Sequence, residues 1–294
     1  MKIFLRISSF VILLLRNRAL PKGGKIMATL QMNILSFTWG MQANFSVFLP
    51  SLVPTKDNAK ETYEEIYPRD VRFKTLWLIG SEYGDDSEFL RNSGIARYAQ
   101  DHNLAVIMPC TNNKLYSEDP KGQKFIRHIT EELWTVATST LAISDKREDN
   151  YIGGVSLGAY AALKAALMNP DKYSKVVLFE GAFEENLKET YLKAFNEGLA
   201  EKGVSIHVGL DDALPDDAEL FDKGKALAES GAPLPDISVS YRANGELSAY
   251  AARAAQNLRE LGFLVREKKY EIDDLWEFCD QALKTELNEF VCAE

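Results

Sequence analysis

From Met27 onward, short strand-like runs alternate with longer segments of helical pattern, and this alternation restricts the fold more than any other feature. Leu30 to Phe37 and Asn44 to Leu49 read as strands joined by a turn around Gly40, so an antiparallel hairpin opens the chain. Ser51 to Asp70 follows as a polar loop. Lys74 to Ile79, Leu104 to Met108, Asn150 to Val155, Lys175 to Phe179, Ile237 to Tyr241 and Leu264 to Tyr270 are further strands. Helices are predicted over Ser87 to His102, Lys124 to Leu141, Gly158 to Met168, Leu247 to Leu261 and Leu275 to Phe290. Such βαβ units imply a mostly parallel central sheet with helices on both faces. Glu184 to Pro235 is charged, mainly helical and without a strand, an insertion placed to cap the sheet's carboxyl edge.

A chain of 294 residues with 46% apolar content can bury one large core, so residues 27–294 are expected to form a single domain. The formal net charge of -9 and a pI near 5.1 argue against nucleic acid and anionic membrane partners, which call for clustered Lys and Arg. Cys110, Cys279 and Cys292 are odd in number and lack ligand spacing. They suggest neither a disulfide framework nor a zinc site, and fit a reducing cytoplasm. No metal or cofactor is expected.

Residues 1–26 resemble a leader, because apolar Ile7 to Leu15 follows Lys2 and Arg6. That stretch is too short to span a bilayer, and Arg16, Asn17 and Arg18 stand where small residues would mark cleavage. Lys22-Gly23-Gly24-Lys25-Ile26-Met27 is also what a purine-rich ribosome-binding site gives when translated. Translation is therefore expected to start at Met27, with a secreted or anchored form as the alternative.

The motif that carries chemistry is Gly154-Val155-Ser156-Leu157-Gly158, between a strand and a helix. A serine on a sharp strand-to-helix turn is held in strained geometry with its hydroxyl presented, and the flanking glycines let backbones pass closely. The N–H of Leu157, at the helix start, would face a developing oxyanion.

The stretch from Ser144 to Lys164 around this motif closely resembles the elbow of the putative esterase family, which includes tributyrin esterases and S-formylglutathione hydrolases. The resemblance continues in Leu76-Trp77-Leu78-Ile79-Gly80, Phe89 to Ala99, Val106-Ile107-Met108-Pro109, Asn169 to Tyr173 and Trp276-Glu277-Phe278-Cys279-Asp280. It implies an α/β-hydrolase that cleaves small acyl esters or thioesters through an acyl-serine. It places the nucleophile at Ser156, the elbow glycines at Gly154 and Gly158, and the oxyanion N–H groups at Leu157 and Ser81. Ile79-Gly80 replaces the family's usual His-Gly, a mild change because the donor is backbone. The base position, a histidine in the family, is Asp274 here. The acid position falls on Gly245, so Glu246 serves as acid only after a one-residue shift.

A serine proton needs an acceptor with a pKa near the working pH, and an ordinary carboxylate is a poor one. Of the other histidines, His102 sits at a helix end and His128 on a helix, so His207, in the insertion, is the one that could fold over the elbow. A lone histidine is more often a surface or capping residue. Asp211-Asp212 and Asp216-Asp217 read as a solvated acidic loop with helix N-caps, and Trp77 and Trp134 as core. Three readings follow: an esterase working weakly or with an altered base; a non-catalytic relative that binds a small ester, a glycan or a protein partner; and, last, a scaffold with a vestigial pocket. A homo-oligomer stays open. If Met27 is the initiator, mass spectrometry of the native protein finds its N-terminal peptide at Met27 or Ala28, whereas peptides containing Met1 contradict that start.

Overall fold

The computed structural model describes residues 26–51, 69–81, 84–110, 124–181 and 218–293, together with residues 62, 64 and 183. Eight strands form one sheet: β1 (Ile26–Ser36), β2 (Met41–Ser51), β3 (Lys74–Ile79), β4 (Leu104–Pro109), β5 (Asn150–Val155), β6 (Lys175–Phe179), β7 (Asp236–Arg242) and β8 (Val265–Tyr270). Their order is β1-β2-β4-β3-β5-β6-β7-β8. The β1–β2 and β2–β4 pairs are antiparallel and the other neighbours parallel. The predicted hairpin and parallel sheet are thus both present.

Alternate residues of the parallel strands serve opposite layers. Trp77, Ile79, Val176 and Leu178 join one core, with residues of the helical stretch Phe125–Thr140 (α3), of α4 (Leu157–Met168) and of α6 (Ser248–Glu260). Leu76, Leu78, Val177 and Phe179 join the other, with α1 (Glu88–Asn92), α2 (Ile95–Asp101) and α7 (Leu275–Glu286). Period-two side chains on strands buried on both faces produce this division. Trp77 and Trp134 are core as expected, their rings stacked at 5.3 Å.

Two helices differ from the sequence expectation. Ser87 to His102 is interrupted, because Ser93 is extended at φ -146 and ψ 167. The Gly94 N–H donates to Asp280 Oδ1 at 2.6 Å, and a Cβ there would lie 2.8 Å from the Tyr98 ring, so a tertiary contact outweighs helical continuity. The last helix ends at Glu286 and continues as a π-turn to Val291. In the predicted insertion, residues 184–217 lie outside the described residues, and α5 (Ala218–Ser230) closes it as a helix. The polar loop after Ser51 also lies mostly outside them.

The strand order fixes where chemistry belongs. β3 leads outward to β4 and β5 leads the other way to β6, yet β3 and β5 are neighbours, with Ile79 opposite Gly154. A crevice opens at the carboxyl ends of strands where the winding reverses in this way.

The hairpin is tied to α3. The middle of α3, His128–Leu133, is π-helical. Glu132 accepts from Ser36 Oγ at 2.6 Å and from the Phe37 N–H at 2.6 Å, and its Oε2 lies 2.7 Å from His128 Nδ1. Burial lowers the His128 pKa below its ordinary 6.5, outweighing the charge and hydrogen bond of Glu132. Burial alone would raise Glu132, but the hydrogen bonds from Ser36, His128, Phe37 and Thr38 together bring it to about 2. Both shifts are depressions, so the stability they carry is complete above pH 6.5 and is lost as pH falls. The larger part, on the order of 3 kcal/mol, belongs to Glu132 and disappears between its ordinary 4.5 and about 2. Thermal melts across this range should fall steeply for the wild type and less steeply for Glu132→Gln; an equal slope in the variant contradicts the assignment.

Candidate active site

Ser156 follows β5 and precedes α4 with φ 56 and ψ -119, a conformation rare for a side chain other than hydrogen. Its N–H donates to Phe179 O at 3.1 Å, and its carbonyl accepts from Ala159 N at 3.1 Å, so bonds on both sides hold the strained residue. Leu157 begins α4, and its amide is therefore among the first N–H groups of a helix, which have no acceptor within the helix.

The glycines of the motif are required by contact between main chains. A Cβ on Gly154 would stand 2.4 Å from the carbonyl of Gly158, and one on Gly158 would stand 2.2 Å from Gly80 O and 2.5 Å from Ile79 O. The start of α4 therefore lies directly on the end of β3. Alanine-rich α4 is buried throughout except at Met168, which lets the helix sit this close to the sheet.

The residue after each neighbouring strand brings a charged or polar group to the same edge. After β3, the Ser81 N–H donates to Glu88 Oε2 at 2.7 Å, and Ser81 Oγ donates to Oε1 at 2.6 Å. The amide expected to face an oxyanion is thus already held by a buried carboxylate. The same loop is anchored to β2 where Ser46 Oγ donates to buried Asp86 at 2.6 Å.

After β6 comes Glu180, another non-glycine residue at positive φ, 43, with a side chain only 2% exposed. At the end of β7, Arg242 grips it through two bonds of 2.7 Å, and a further guanidinium N–H reaches Asp273 O. The Glu180 hydrogen bonds, outweighing burial, hold the Arg242 pKa above its ordinary value. Glu180 and Arg242 were not singled out from sequence. The signal was their place one step beyond, or at the end of, parallel strands beside the nucleophile strand.

The base and acid candidates are exposed or engaged elsewhere. Asp274 does follow β8, where the family resemblance places a base, but it is exposed and caps α7, accepting from Trp276 N at 2.9 Å and Glu277 N at 2.8 Å. Glu246 is exposed in the turn after β7. The acid position at Gly245 is closed, since a Cβ there would lie 2.1 Å from Glu180 Oε1. The carboxylate beside it arrives from the neighbouring strand instead.

The histidines offer no replacement among the described residues. His102 lies 2.7 Å from Asn288 Oδ1, and His128 is committed to Glu132 and Trp39. His207, Asp211-Asp212 and Asp216-Asp217 lie outside the described residues. Among the described residues no three His, Cys, Asp or Glu are grouped as metal ligands, and none of the three cysteines is paired. Burial, reinforced by Glu180, raises the Cys279 thiol pKa well above its ordinary value despite Arg242, so this thiol is not a competing nucleophile.

A family model described as Putative esterase matches residues 52–229, more than half of the chain. The chain belongs to this esterase family. A curated relative, an acetyl esterase of Caldicellulosiruptor saccharolyticus, is 29% identical over 150 residues, 51% of this chain and 53% of the relative. The chain thus spans about half the length of that relative. Among solved structures, fluorophosphonate-binding serine hydrolase F of Staphylococcus aureus, in a substrate-bound form, is similar with a TM-score of 0.72 and 26% identity, covering 91% of this chain and 99% of that one. An S-formylglutathione hydrolase of the same organism, as apoenzyme, gives 0.69 and 25%, covering 90% and 99%. The fold is that of an α/β-hydrolase. No helix among the described residues is long and apolar enough to cross a membrane.

The crossing of main chains at the elbow makes a direct test. Gly158→Ala, with its new methyl 2.2 Å from Gly80 O, should lose about 2 kcal/mol or more in urea unfolding. An unchanged midpoint contradicts the packing described.

Proposed function

We propose that this chain hydrolyses small acyl esters or thioesters through Ser156, at a rate held down by the lack of an imidazole at the base position. The observation that carries the reading is the strained serine at the start of α4, with the Leu157 amide behind it. In the first half-reaction the Ser156 hydroxyl oxygen bonds to the acyl carbon while its proton passes to a base. The carbonyl electrons move onto oxygen, where the Leu157 N–H stabilises them. Collapse expels the alcohol or thiol, which takes up a proton, and water then cleaves the acyl-serine by the same steps in reverse. Neither half-reaction needs a metal or cofactor.

Removing the correct base from such a triad costs on the order of ten-thousandfold in turnover, while the oxyanion donors and binding retain some catalysis. Asp274 as an N-cap supports that reading. It equally favours the second one, a non-catalytic relative that keeps the pocket to hold a small ester, a glycan or a protein partner. His207 remains the first candidate for an unorthodox base. The unpaired cysteines fit a reducing compartment.

Hydrolysis of p-nitrophenyl acetate and butyrate decides between the two readings. Wild type should turn over slowly and Ser156→Ala not at all; equal rates in both refute the hydrolase. Asp274→His should raise turnover, while loss of the cap costs roughly 1 kcal/mol of folding stability. Gly245→Asp should not help, because its side chain would collide with Glu180. Releasing Glu180 through Arg242→Ala should augment Asp274→His instead. Brisk wild-type turnover abolished by His207→Ala moves the base to the insertion.

A further inference from the structure

Glu88 is hydrogen-bonded to Ser81, whose amide stands where the family resemblance puts the second oxyanion donor. Its carboxylate is 6% exposed and uses both oxygens on Ser81, one on the amide and one on the hydroxyl. Two glycines make room for it, since a Cβ on Gly80 would lie 2.6 Å from Oε2 and one on Gly84 2.1 Å. Gly80 is also the residue whose carbonyl touches Gly158 at the start of the elbow helix, so the carboxylate lies beside the elbow. Glu180 is neutralised by Arg242, whereas Glu88 forms no ion pair among the described residues.

We infer that Glu88 is a resident plug of the oxyanion donor at Ser81, and that its negative charge limits reaction at Ser156 independently of the missing imidazole. The inference rests on the hydrolase reading given above. A developing oxyanion gains from an N–H that is free to turn toward it and loses from an anion fixed on that N–H. Glu88 touches no reacting atom and acts through Ser81, so it is a positioning residue working against the reaction. Loss of a single oxyanion donor costs on the order of a hundredfold or more, so restoring one should return at least about tenfold.

The test is the rate at which a fluorophosphonate probe labels Ser156 in the full chain. In that reaction Ser156 Oγ bonds to phosphorus, the P–F bond breaks, fluoride leaves, and the hydroxyl proton passes to solvent. Negative charge gathers on the phosphoryl oxygen that the oxyanion donors receive. Wild type, Glu88→Gln and Glu88→Ala are compared, with Ser156→Ala as blank and thermal melting as the check of folding. Glu88→Gln keeps the shape and removes the charge, and Glu88→Ala clears the amide. Labelling at least about tenfold faster in either folded variant is the expected result, with kcat for p-nitrophenyl acetate rising more than KM changes. Labelling no faster than wild type in every folded variant overturns the inference and leaves the hydrolase reading intact. Failure of both variants to fold also overturns it, since the carboxylate is then a structural part of the loop. Absence of Ser156 labelling in every protein refutes the hydrolase reading and this inference with it.

Discussion

Three main chains meet at one point, and the site depends on that meeting. Gly154 at the end of β5, Gly158 in the first turn of α4 and Gly80 at the end of β3 approach so closely that a methyl group on either of the first two would stand within about 2.5 Å of a neighbouring carbonyl group. The approach forces the chain through Ser156 in a conformation that an ordinary residue avoids, and the sheet holds it there through Phe179. Strain of this kind costs on the order of 1–3 kcal/mol and persists only where surrounding structure over-determines it. Here the surroundings are the two most central parallel strands and a helix buried on nearly all sides.

The carboxyl edge of the sheet then collects charge in strand order. β3 leads to Ser81 and its carboxylate partner Glu88, β5 to Ser156, β6 to Glu180, β7 ends in Arg242, and β8 leads to Asp274. Family members with the usual triad need an imidazole between the last carboxylate and the serine. In this chain Glu180 is matched by a guanidinium, and Asp274, beyond the end of β8, caps its own helix. Arginine is a poor proton acceptor because it stays protonated. The edge therefore gathers the buried carboxylates of Glu88 and Glu180 and the guanidinium of Arg242.

Much of this was readable from sequence because it is local. Strands β3, β5 and β6 begin and end where the apolar runs do, since flanking polar residues cannot continue a strand buried on both faces. The elbow was legible because its glycines and serine serve one turn. The interruption at Ser93-Gly94 was not, because it is set by Asp280, a residue 186 positions away. Nor were the roles of Glu88, Glu180 and Arg242, whose partners come from other strands or loops. Gly245 packs against the Glu180 carboxylate, a contact between neighbouring strands that sequence spacing does not reveal. Asp274 stands at the base position of the resemblance, and its local sequence also fits the N-cap it forms.

Strain at Ser156, the Leu157 amide at the start of α4 and the Ser81 amide held by Glu88 together support the proposed attack by Ser156. That attack is tested most directly by a crystal structure of the chain after reaction with a fluorophosphonate. The account predicts a phosphorus atom bonded to Ser156 Oγ, its oxygen within hydrogen-bonding distance of Leu157 N, and the Glu88 carboxylate moved off the Ser81 amide wherever that amide also reaches the oxygen. An adduct on any other residue, or a phosphoryl oxygen turned away from Leu157, would contradict it.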